Sequence, residues 1–306
     1  MNEIKLMNGR SFEEAVESHA RWVEDESTGS RCVLDRETLN EAVLPGLGLQ
    51  GAIIRGSSLV DADFSGADWS RTVITDANLQ RAILTAIDLG GAEISDSDWS
   101  FCWLTGAVLS DAKLRGSNFR RASMRDGRLQ GVQIEGCKFM GAILNGGSFH
   151  HARIAISDFS ESEFEQAQFY RAQMVGCKFS TANGAGSNFS STRLKKCTFS
   201  KATLTAAKFF QSDLTGTQFD RASLNEVDFR EAQLNGADFC RAELRNAHLR
   251  GANLFAADFR AADLTNAREL TAAQLVQART DEATILPNGS RGPYRRYSGA
   301  ERPASA

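Results

Sequence analysis

The sequence predicts an all-β solenoid built of four-sided coils, and three regularities support this prediction. A large apolar residue occupies every fifth position from residue 54 to residue 264, and Gly184 is the one exception. The position two residues earlier is small in nearly every unit, and Ile87 is its largest occupant. No proline lies between Pro45 and Pro287. A period of five fits neither a helix nor a simple strand. It does fit an extended triplet with alternating in, out, in side chains, followed by a two-residue corner.

Four such units make a coil of 20 residues, so the repeats predict about 11 stacked coils of parallel strands. Sorting the sequence by 20 supports this coil length, because identical residue types then fall into columns. From residue 119 to residue 259 one column consists entirely of phenylalanine: Phe119, Phe139, Phe159, Phe179, Phe199, Phe219, Phe239 and Phe259. We expect these rings to stack inside the solenoid, as core and not as a ligand site.

The units that begin at Ala62, Ala77, Ala237 and Ala262 each read Ala, then Asp or Asn, then Phe or Leu. They resemble the repeats of the pentapeptide repeat family, and the same register runs from residue 52 to residue 266. The resemblance implies a right-handed quadrilateral parallel β-helix whose central and small residues point inward. In this family the C-terminal end can also support dimerisation, so the resemblance implies a possible homodimer.

The two ends of the chain depart from the repeat. Residues 1–33 are predicted to form an N-terminal helical cap, because Ser11 and Glu14 fit a capping box and apolar residues follow at helical spacing. Those residues are Phe12, Ala15, Val16, His19, Trp22 and Val23. This helix could instead dock a partner. The β-helix is predicted over residues 34–268, with an irregular first coil.

The C-terminal end is predicted to have two parts. Residues 269–280 are predicted to form a capping helix, because Thr271 and Gln274 fit a second capping box and Leu270 and Leu275 fit a hydrophobic staple. Residues 281–306 are rich in Gly, Pro, Ser and Arg and are predicted to be a disordered tail.

Composition and motifs exclude several classes of function. There is no apolar stretch long enough to cross a bilayer and no apolar leader near Met1, so we expect no membrane span and a cytoplasmic location. The formal net charge of −3 favours neither direct nucleic-acid binding nor membrane-surface binding. No catalytic constellation or phosphate loop is present. We therefore expect a non-enzymatic protein without a cofactor.

The cysteines also indicate a structural role. Cys102, Cys137, Cys177 and Cys197 occupy the small inward position, Cys32 is in phase with them, and Cys240 is not. Buried reduced thiols are the expected state in a reducing compartment, and a disulfide between Cys177 and Cys197 is the alternative. No Cys and His spacing indicates a metal site.

The outward positions remain as candidates for function. Outward apolar residues form a candidate interaction surface: Ile83, Phe101, Trp103, Ile143, Tyr170 and Phe210. One wall carries most of the unbalanced acidic residues and is a candidate acidic wall: Asp63, Asp126, Glu163, Glu165, Glu226, Glu243 and Asp263. Arg125 and Arg245 are its basic residues.

Two functions are consistent with these surfaces. The first is a scaffold or interaction module whose flat walls bind a protein partner. The second is implied by the family resemblance: a mimic of duplex DNA that binds DNA gyrase or topoisomerase IV and gives quinolone or toxin resistance. Duplex DNA carries one negative charge per ~1.7 Å of its axis, which the acidic wall does not approach. The first function is therefore favoured.

Overall fold

The computed structural model describes residues 6–7 and 9–303. The chain divides into two compact units, Met1–Ser148 and Phe149–Ala306, and each is a parallel β-helix. The predicted fold class, a parallel β-helix of 20-residue coils, is confirmed. Residues 1–5 and 8 of the predicted N-terminal cap, and residues 304–306 of the predicted tail, lie outside the described residues.

The first unit begins with helix α1 (Phe12–Glu24), which the capping signal at Ser11 predicted. The Ser11 hydroxyl accepts a hydrogen bond from the Glu14 amide at 3.4 Å. The buried face of α1 is Phe12, Ala15, Ser18 and His19. Val23 was predicted on this face but is 42% exposed, in the last turn before the helix ends at Glu24.

Six short strands follow α1, each starting 20 residues after the previous one. They are β1 (Val33–Asp35), β2 (Ile53–Arg55), β3 (Val73–Thr75), β4 (Glu93–Ser95), β5 (Lys113–Arg115) and β6 (Gln133–Glu135). Neighbouring strands are parallel and in register, so that Leu34 pairs with Ile54 and Ile54 with Ile74. The other walls pair through isolated bridges at the same spacing.

Hydrogen bonds tie each coil to the one before and the one after it. The Leu59 amide donates forward to the Asn78 carbonyl at 2.7 Å, and the Asp63 amide donates back to the Ala42 carbonyl at 2.8 Å. From Ala52 to Leu264 the first and third residues of each triplet point inward and are buried, as the in, out, in pattern predicted. Outward side chains are therefore the part of each wall that is free to vary.

The second unit contains β7 (Arg153–Ala155), β8 (Gln173–Val175), β9 (Arg193–Lys195) and the short helix α2 (Ala272–Leu275). After β9 the triplets pair as isolated parallel bridges, beginning with Arg193 and Asp213. The predicted phenylalanine stack is present: the rings of Phe179 and Phe199 are 4.7 Å apart, and those of Phe239 and Phe259 are 4.9 Å apart. The aromatic column is thus core, as expected.

All six cysteines are free thiols, and all except Cys240 are buried. Cys177 and Cys197 occupy the same position in successive coils of the second unit. The interaction between the two thiols lowers the pKa of Cys177 and raises the pKa of Cys197, and the Cys197 thiol donates a hydrogen bond to the Lys195 carbonyl at 3.7 Å. The structure therefore has the reduced pair, one of the two states that the sequence left open.

Helix α2 occupies only part of the predicted capping segment. The capping box is formed, with Thr271 accepting from the Gln274 amide and the Gln274 side chain accepting from the Thr271 amide at 2.9 Å. The Gln274 side-chain amide also donates to the carbonyls of Leu249 and Ala252, at 2.8 and 2.9 Å. This one side chain therefore joins the cap to the coil that it covers.

The segment that follows α2 differs from the predicted disordered tail. The amides of Leu264 and Asn266 donate to the carbonyls of Ile285 and Pro287, at 2.8 and 2.9 Å. Thr284 and Leu286 are buried at 0% and 3% exposure. Composition suggested disorder, but the last coil leaves backbone groups that need partners, and this segment supplies them. Residues 277–287 therefore form an irregular final layer of the second unit.

Candidate interaction surface

One outward column of the first unit is apolar from Ile83 to Ile143, apart from a single serine. Ile83, Trp103, Ser123 and Ile143 follow one another at 20-residue spacing, joined by parallel bridges. Ile83 is 41% exposed and Trp103 is 61% exposed, while Ile143 is partly buried. They lie on one face because the middle residue of each triplet points outward and the coils are in register.

The neighbouring corner adds a second column, in which Arg81, Phe101 and Arg121 follow one another. Each has a positive φ, from 54° to 62°, a left-handed conformation at the bend that directs the side chain to solvent. The Phe101 ring is 48% exposed, and the Arg121 guanidinium carbon lies 5.9 Å from its centroid. Arg81 forms a bidentate ion pair with Asp61 at 2.7 and 2.6 Å.

The two columns enclose a shallow depression of about 790 Å³, here called the Trp103 depression. Its lining includes Ile83, Phe101, Trp103, Ser123, Ile143, Arg121 and Arg125. Ser123 is the smallest side chain of the apolar column and lies one coil from Trp103 on one side and one coil from Ile143 on the other. Arg121 and Arg125 lie in the same coil as Ser123, at the two corners that bound this wall. The small side chain of Ser123 therefore leaves a notch in the wall. Apolar side chains flank this notch along the column, and the two arginines flank it along the coil.

The Trp103 depression has no reactive group at its base. Cys102 also lines it, but burial raises the pKa of this thiol to about 12, and its sulfur contacts the Leu79 carbonyl oxygen at 2.8 Å. A thiol in that state is a poor nucleophile and a poor metal ligand. Over residues 6–7 and 9–303, no group of three or more His, Cys, Asp or Glu side chains could hold a metal ion. The depression is suited to binding by contact.

The structure brings together four of the six predicted surface residues, Ile83, Phe101, Trp103 and Ile143. The other two belong to the second unit. Tyr170 packs edge-on against His150 and His151, with ring centroids 6.2 and 6.5 Å away, and the Arg171 guanidinium lies over its face. Phe210 is covered in part by Arg230. These two aromatic residues are not part of the depression.

The predicted acidic wall is less acidic in effect than its sequence suggests. In the second unit Asp263 forms an ion pair with Arg245 at 2.7 Å, and Glu243 accepts a hydrogen bond from Asn225 at 3.1 Å. Burial by itself raises the pKa of Asp263, but hydrogen bonds from Thr265 and Arg245 outweigh it and hold the pKa below its usual value.

The remaining members of the acidic wall do not alter that conclusion. Glu165 accepts a hydrogen bond from the Asn183 side chain at 2.6 Å, Glu163 also has a partner, and Glu226 is an exposed corner residue. Asp63 and Asp126 lie in the first unit, on the face that also carries the Trp103 depression. The acidic residues are thus interrupted by amides and arginines.

Sequence reasoning missed several exposed apolar side chains. Phe255, Ile156 and Val43 are 62%, 70% and 66% exposed. All three occupy outward or corner positions of their units, so a complete inventory of outward apolar residues would have found them. They are separated from the Trp103 depression in sequence and do not line it.

No helix in the described part of the chain is long and apolar enough to cross a membrane.

The coil geometry and the exposed faces define a class of protein, the parallel β-solenoids with pentapeptide coils. Family models make that class specific. The model described as Pentapeptide repeat region matches residues 148–229 and 185–259. The model described as Pentapeptide repeats (8 copies) matches residues 57–96, 102–141 and 242–279. Together they match more than half of the chain, which therefore belongs to the pentapeptide repeat family.

Solved structures with a similar fold include HetL from the cyanobacterium Nostoc sp. strain PCC 7120, a pentapeptide repeat protein involved in heterocyst differentiation regulation. HetL is 19% identical over 89% of this chain and 98% of its own, with a TM-score of 0.48. A trypsin-treated variant of QnrB1, a plasmid-mediated fluoroquinolone resistance protein, is 20% identical over 71% of this chain and 90% of its own, with a TM-score of 0.44. No curated protein matches the sequence significantly.

Proposed function

We propose that this protein is a non-enzymatic interaction module and that the Trp103 depression binds a protein partner. The observation that carries the proposal is the contiguity of three exposed apolar residues, Ile83, Phe101 and Trp103, on a wall whose other outward positions are mostly polar. Large aromatic side chains surrounded by arginine are typical of the residues that contribute most to protein interfaces. A buried core already holds the coil together, so these residues are not needed outside for packing.

The proposal is tested by affinity capture with a Trp103→Asp, Ile143→Asp double variant. The wild type is expected to retain a specific partner that the double variant loses, while the circular dichroism spectra stay the same. Phe255→Asp is the matched control, because Phe255 is as exposed as Trp103 but lies in the second unit. Retention of the same partner by the double variant would rule out this surface.

The alternative, a DNA mimic that binds DNA gyrase or topoisomerase IV, derives from the family resemblance and depends on the acidic wall. The observation in its favour is the series of carboxylates on one wall of the second unit, including Glu226 and Glu243. The Arg245 ion pair with Asp263 counts against it, because a mimic needs unpaired negative charge at phosphate-like density. A supercoiling assay of DNA gyrase with and without a fluoroquinolone tests this alternative. If micromolar protein neither inhibits gyrase nor protects it from the drug, the mimic is excluded.

A further inference from the structure

One wall of the second unit carries positive charge and no carboxylate. We propose that this wall binds the surface of a lipid bilayer with anionic headgroups, and that Ile156 inserts among those headgroups. The surface, here called the β7–β9 face, consists of the outward side chains of residues 150–156, 170–176 and 190–196, which form the wall of β7, β8 and β9 and its two corners. It is distinct from the Trp103 depression, which belongs to the first unit.

The positive charge of the β7–β9 face comes from five exposed side chains. They are Arg153, Arg171, Arg193, Lys195 and Lys196. None of the five forms an ion pair with a carboxylate of the described residues. No Asp or Glu lies in the three segments that form the face. Its cations are therefore not neutralised within the face.

The carboxylates around the face do not cancel this charge. Asp213 follows Arg193 one coil later, and its carboxylate accepts a hydrogen bond from the Thr215 amide at 3.2 Å. Asp158 projects from the neighbouring wall, where Lys178 follows it one coil later. The wall on the other side contributes only amides and a lysine at its outward positions, which are Gln168, Asn188 and Lys208. Two bordering carboxylates against five cations leave the face positive.

The net charge of the whole chain hides this difference. Residues 149–306 contain 20 Lys and Arg against 17 Asp and Glu, so their formal net charge is +3, whereas that of residues 1–148 is −6. Glu135, which is 20 residues before Ala155, belongs to the first unit and forms an ion pair with Arg115 at 3.9 Å. The value of −3 for the chain therefore does not describe the β7–β9 face.

Ile156 occupies a corner for which isoleucine is poorly suited. Its φ is +49°, and it is the one Val or Ile among the described residues with a positive φ. A β-branched side chain is crowded in this left-handed conformation. The same corner position is glycine in later coils, at Gly176, Gly216 and Gly236. Ile156 is also 70% exposed, so packing within the chain does not account for it. A strained and exposed aliphatic side chain indicates a contact outside the chain.

Val175 extends the apolar surface beside Ile156. It is 48% exposed, and its carbonyl accepts a hydrogen bond from the Ile156 amide at 2.9 Å. Gly176 follows Ile156 in the corner column and has no side chain that could cover it. Arg153 lies three residues before Ile156, and Lys195 pairs in register with Val175. Two aliphatic side chains at a convex corner are therefore bordered by cations.

This arrangement fits a bilayer surface. Aliphatic side chains at a protruding corner can enter the interfacial layer while the flanking cations stay with the headgroup phosphates. Each cation near an anionic leaflet strengthens binding about five-fold, so five together contribute on the order of a thousand-fold. A protein partner would need a pocket that matches the corner, whereas a bilayer needs none.

A single-stranded nucleic acid fits the face less well, because its bases bind by stacking on exposed aromatic rings. Tyr170 packs against His150 and His151, with ring centroids 6.2 and 6.5 Å away, and the Arg171 guanidinium lies 5.0 Å from its centroid. The aromatic side chains of the face are thus packed against one another and against arginine. The charge and the apolar corner together favour the lipid surface.

The experiment measures cosedimentation of the full chain with sucrose-loaded vesicles at low salt. One set of vesicles contains equal amounts of phosphatidylcholine and phosphatidylglycerol, and the other contains phosphatidylcholine alone. The chain is expected to bind the first set at least ten-fold more tightly. This preference should disappear in about 1 M salt, because ions screen exposed charges.

Two variants remove parts of the face at positions where the fold should tolerate them. Lys195→Gln with Lys196→Gly removes two cations, and φ at Lys196 is +56°, which glycine adopts readily. Ile156→Gly removes the aliphatic side chain at a φ of +49° and relieves its strain. The double variant is expected to bind the anionic vesicles at least ten-fold more weakly, and Ile156→Gly at least three-fold more weakly.

Three control variants should bind these vesicles as the wild type does. Lys201→Gly with Arg241→Gly removes the same charge at another corner of the second unit, where φ is +60° and +59°. Val43→Ser removes an aliphatic side chain that is 66% exposed in the first unit. Trp103→Ser removes the indole of the Trp103 depression.

Equal binding to the two kinds of vesicle, equal loss in the control variants, or undiminished binding of either face variant would overturn the inference. Tighter binding of a labelled oligothymidine than of the anionic vesicles would assign the face to nucleic acid instead. A captured protein that is lost in Ile156→Gly, without vesicle binding by the wild type, would assign it to a protein partner. Failure of vesicle binding leaves the proposed function intact, because that function depends on Trp103 and Ile143.

Discussion

A side chain at Gly184 would overlap the ring of Phe164, so these two residues one coil apart share a single space in the core of the second unit. Phe164 turns edge-on to the rings of Phe169, Phe179 and Phe189, with centroids 5.9, 5.4 and 6.0 Å away. The missing side chain in the unit of Gly184 is thus compensated by a ring from the coil before it. The one exception to the central apolar position is a packing solution and not a gap.

We predict that Gly184→Ala destabilises the second unit by about 1–3 kcal/mol, because the Phe164 ring must move in a filled core. Phe164→Leu with Gly184→Leu should be more stable than Gly184→Leu alone, because leucine already occupies this wall at Leu204 and Leu224. The double-mutant cycle should give a favourable coupling of about 0.5–3 kcal/mol. Thermal unfolding of the four proteins measures it, and strict additivity would show that the two sites do not share space.

The pH dependence of the N-terminal cap should come from His19. Its ring is fully buried, Nδ1 accepts a hydrogen bond from the Cys32 amide at 3.0 Å, and Nε2 has no hydrogen-bond partner among the described residues. Burial and the charge of Arg31 lower the pKa of His19 below 6.5, although the backbone carbonyls of Gln50 and Leu49 act weakly in the opposite direction. The ring is therefore neutral in the folded cap.

Because the folded pKa is the lower one, the unfolded state binds the proton more readily below pH 6.5. The stability that His19 contributes is present above that pH and is lost as the pH falls towards the folded pKa. Hydrogen exchange at the Cys32 amide should therefore be faster at about pH 5.5 than at about pH 7.5, after correction for the intrinsic rate. His19→Asn keeps an acceptor and should remove the pH dependence, and an unchanged pH profile in that variant would contradict the assignment.

The phenylalanine stack should not tolerate a charge. Phe179 is fully buried between Phe159 and Phe199, with centroids 5.0 and 4.7 Å away. We predict that Phe179→Asp abolishes cooperative unfolding of the second unit, because it buries an unpaired carboxylate in an apolar column. Phe255→Asp, at a ring 62% exposed, should change stability by less than about 0.5 kcal/mol. Calorimetry distinguishes the two, and a cooperative transition in Phe179→Asp would disprove the prediction.

The Gln274 side chain should contribute more to stability than a helix cap alone. It closes the capping box with Thr271 and donates to the carbonyls of Leu249 and Ala252. Gln274→Ala leaves both carbonyls without this donor and should cost about 1–3 kcal/mol. Gln277→Ala is the matched control, because the Gln277 side chain is exposed and only its backbone carbonyl pairs with the coil. Chemical denaturation compares them, and equal effects would mean that the side-chain contacts are not important.

The repeat architecture could be predicted from sequence because its period acts at every residue. Five-residue spacing decided which side chains face inward, and 20-residue spacing decided which ones stack, so Ile83, Trp103 and Ile143 could be placed on one face from the sequence alone. Phe101 was harder to group with them from the sequence. It is a corner residue, and its side chain lies beside this face only because its backbone is left-handed.

The parts that sequence did not predict depend on contacts across a corner or at an end. Sorting charges by wall separated Arg121 from Ser123, although the structure places them around one notch. Residues 281–306 were predicted to be disordered from their composition alone. Composition carries no information about the backbone amides of the last coil, which pair with Ile285 and Pro287. Gly184 was recognised as an exception, but its neighbour in the coil before, Phe164, was the residue that explained it.

The final layer of the second unit has a consequence for growth of the solenoid. Every coil is a template on which the next could form, in the manner of a filament that lengthens by adding identical subunits. The chain ends this series with its own residues, because Leu264 donates its forward bond to the carbonyl of Ile285, and Ile285 pairs in turn with Arg291 in the antiparallel sense. The edge on which a further parallel coil would form is therefore met there by a segment that runs in the opposite direction.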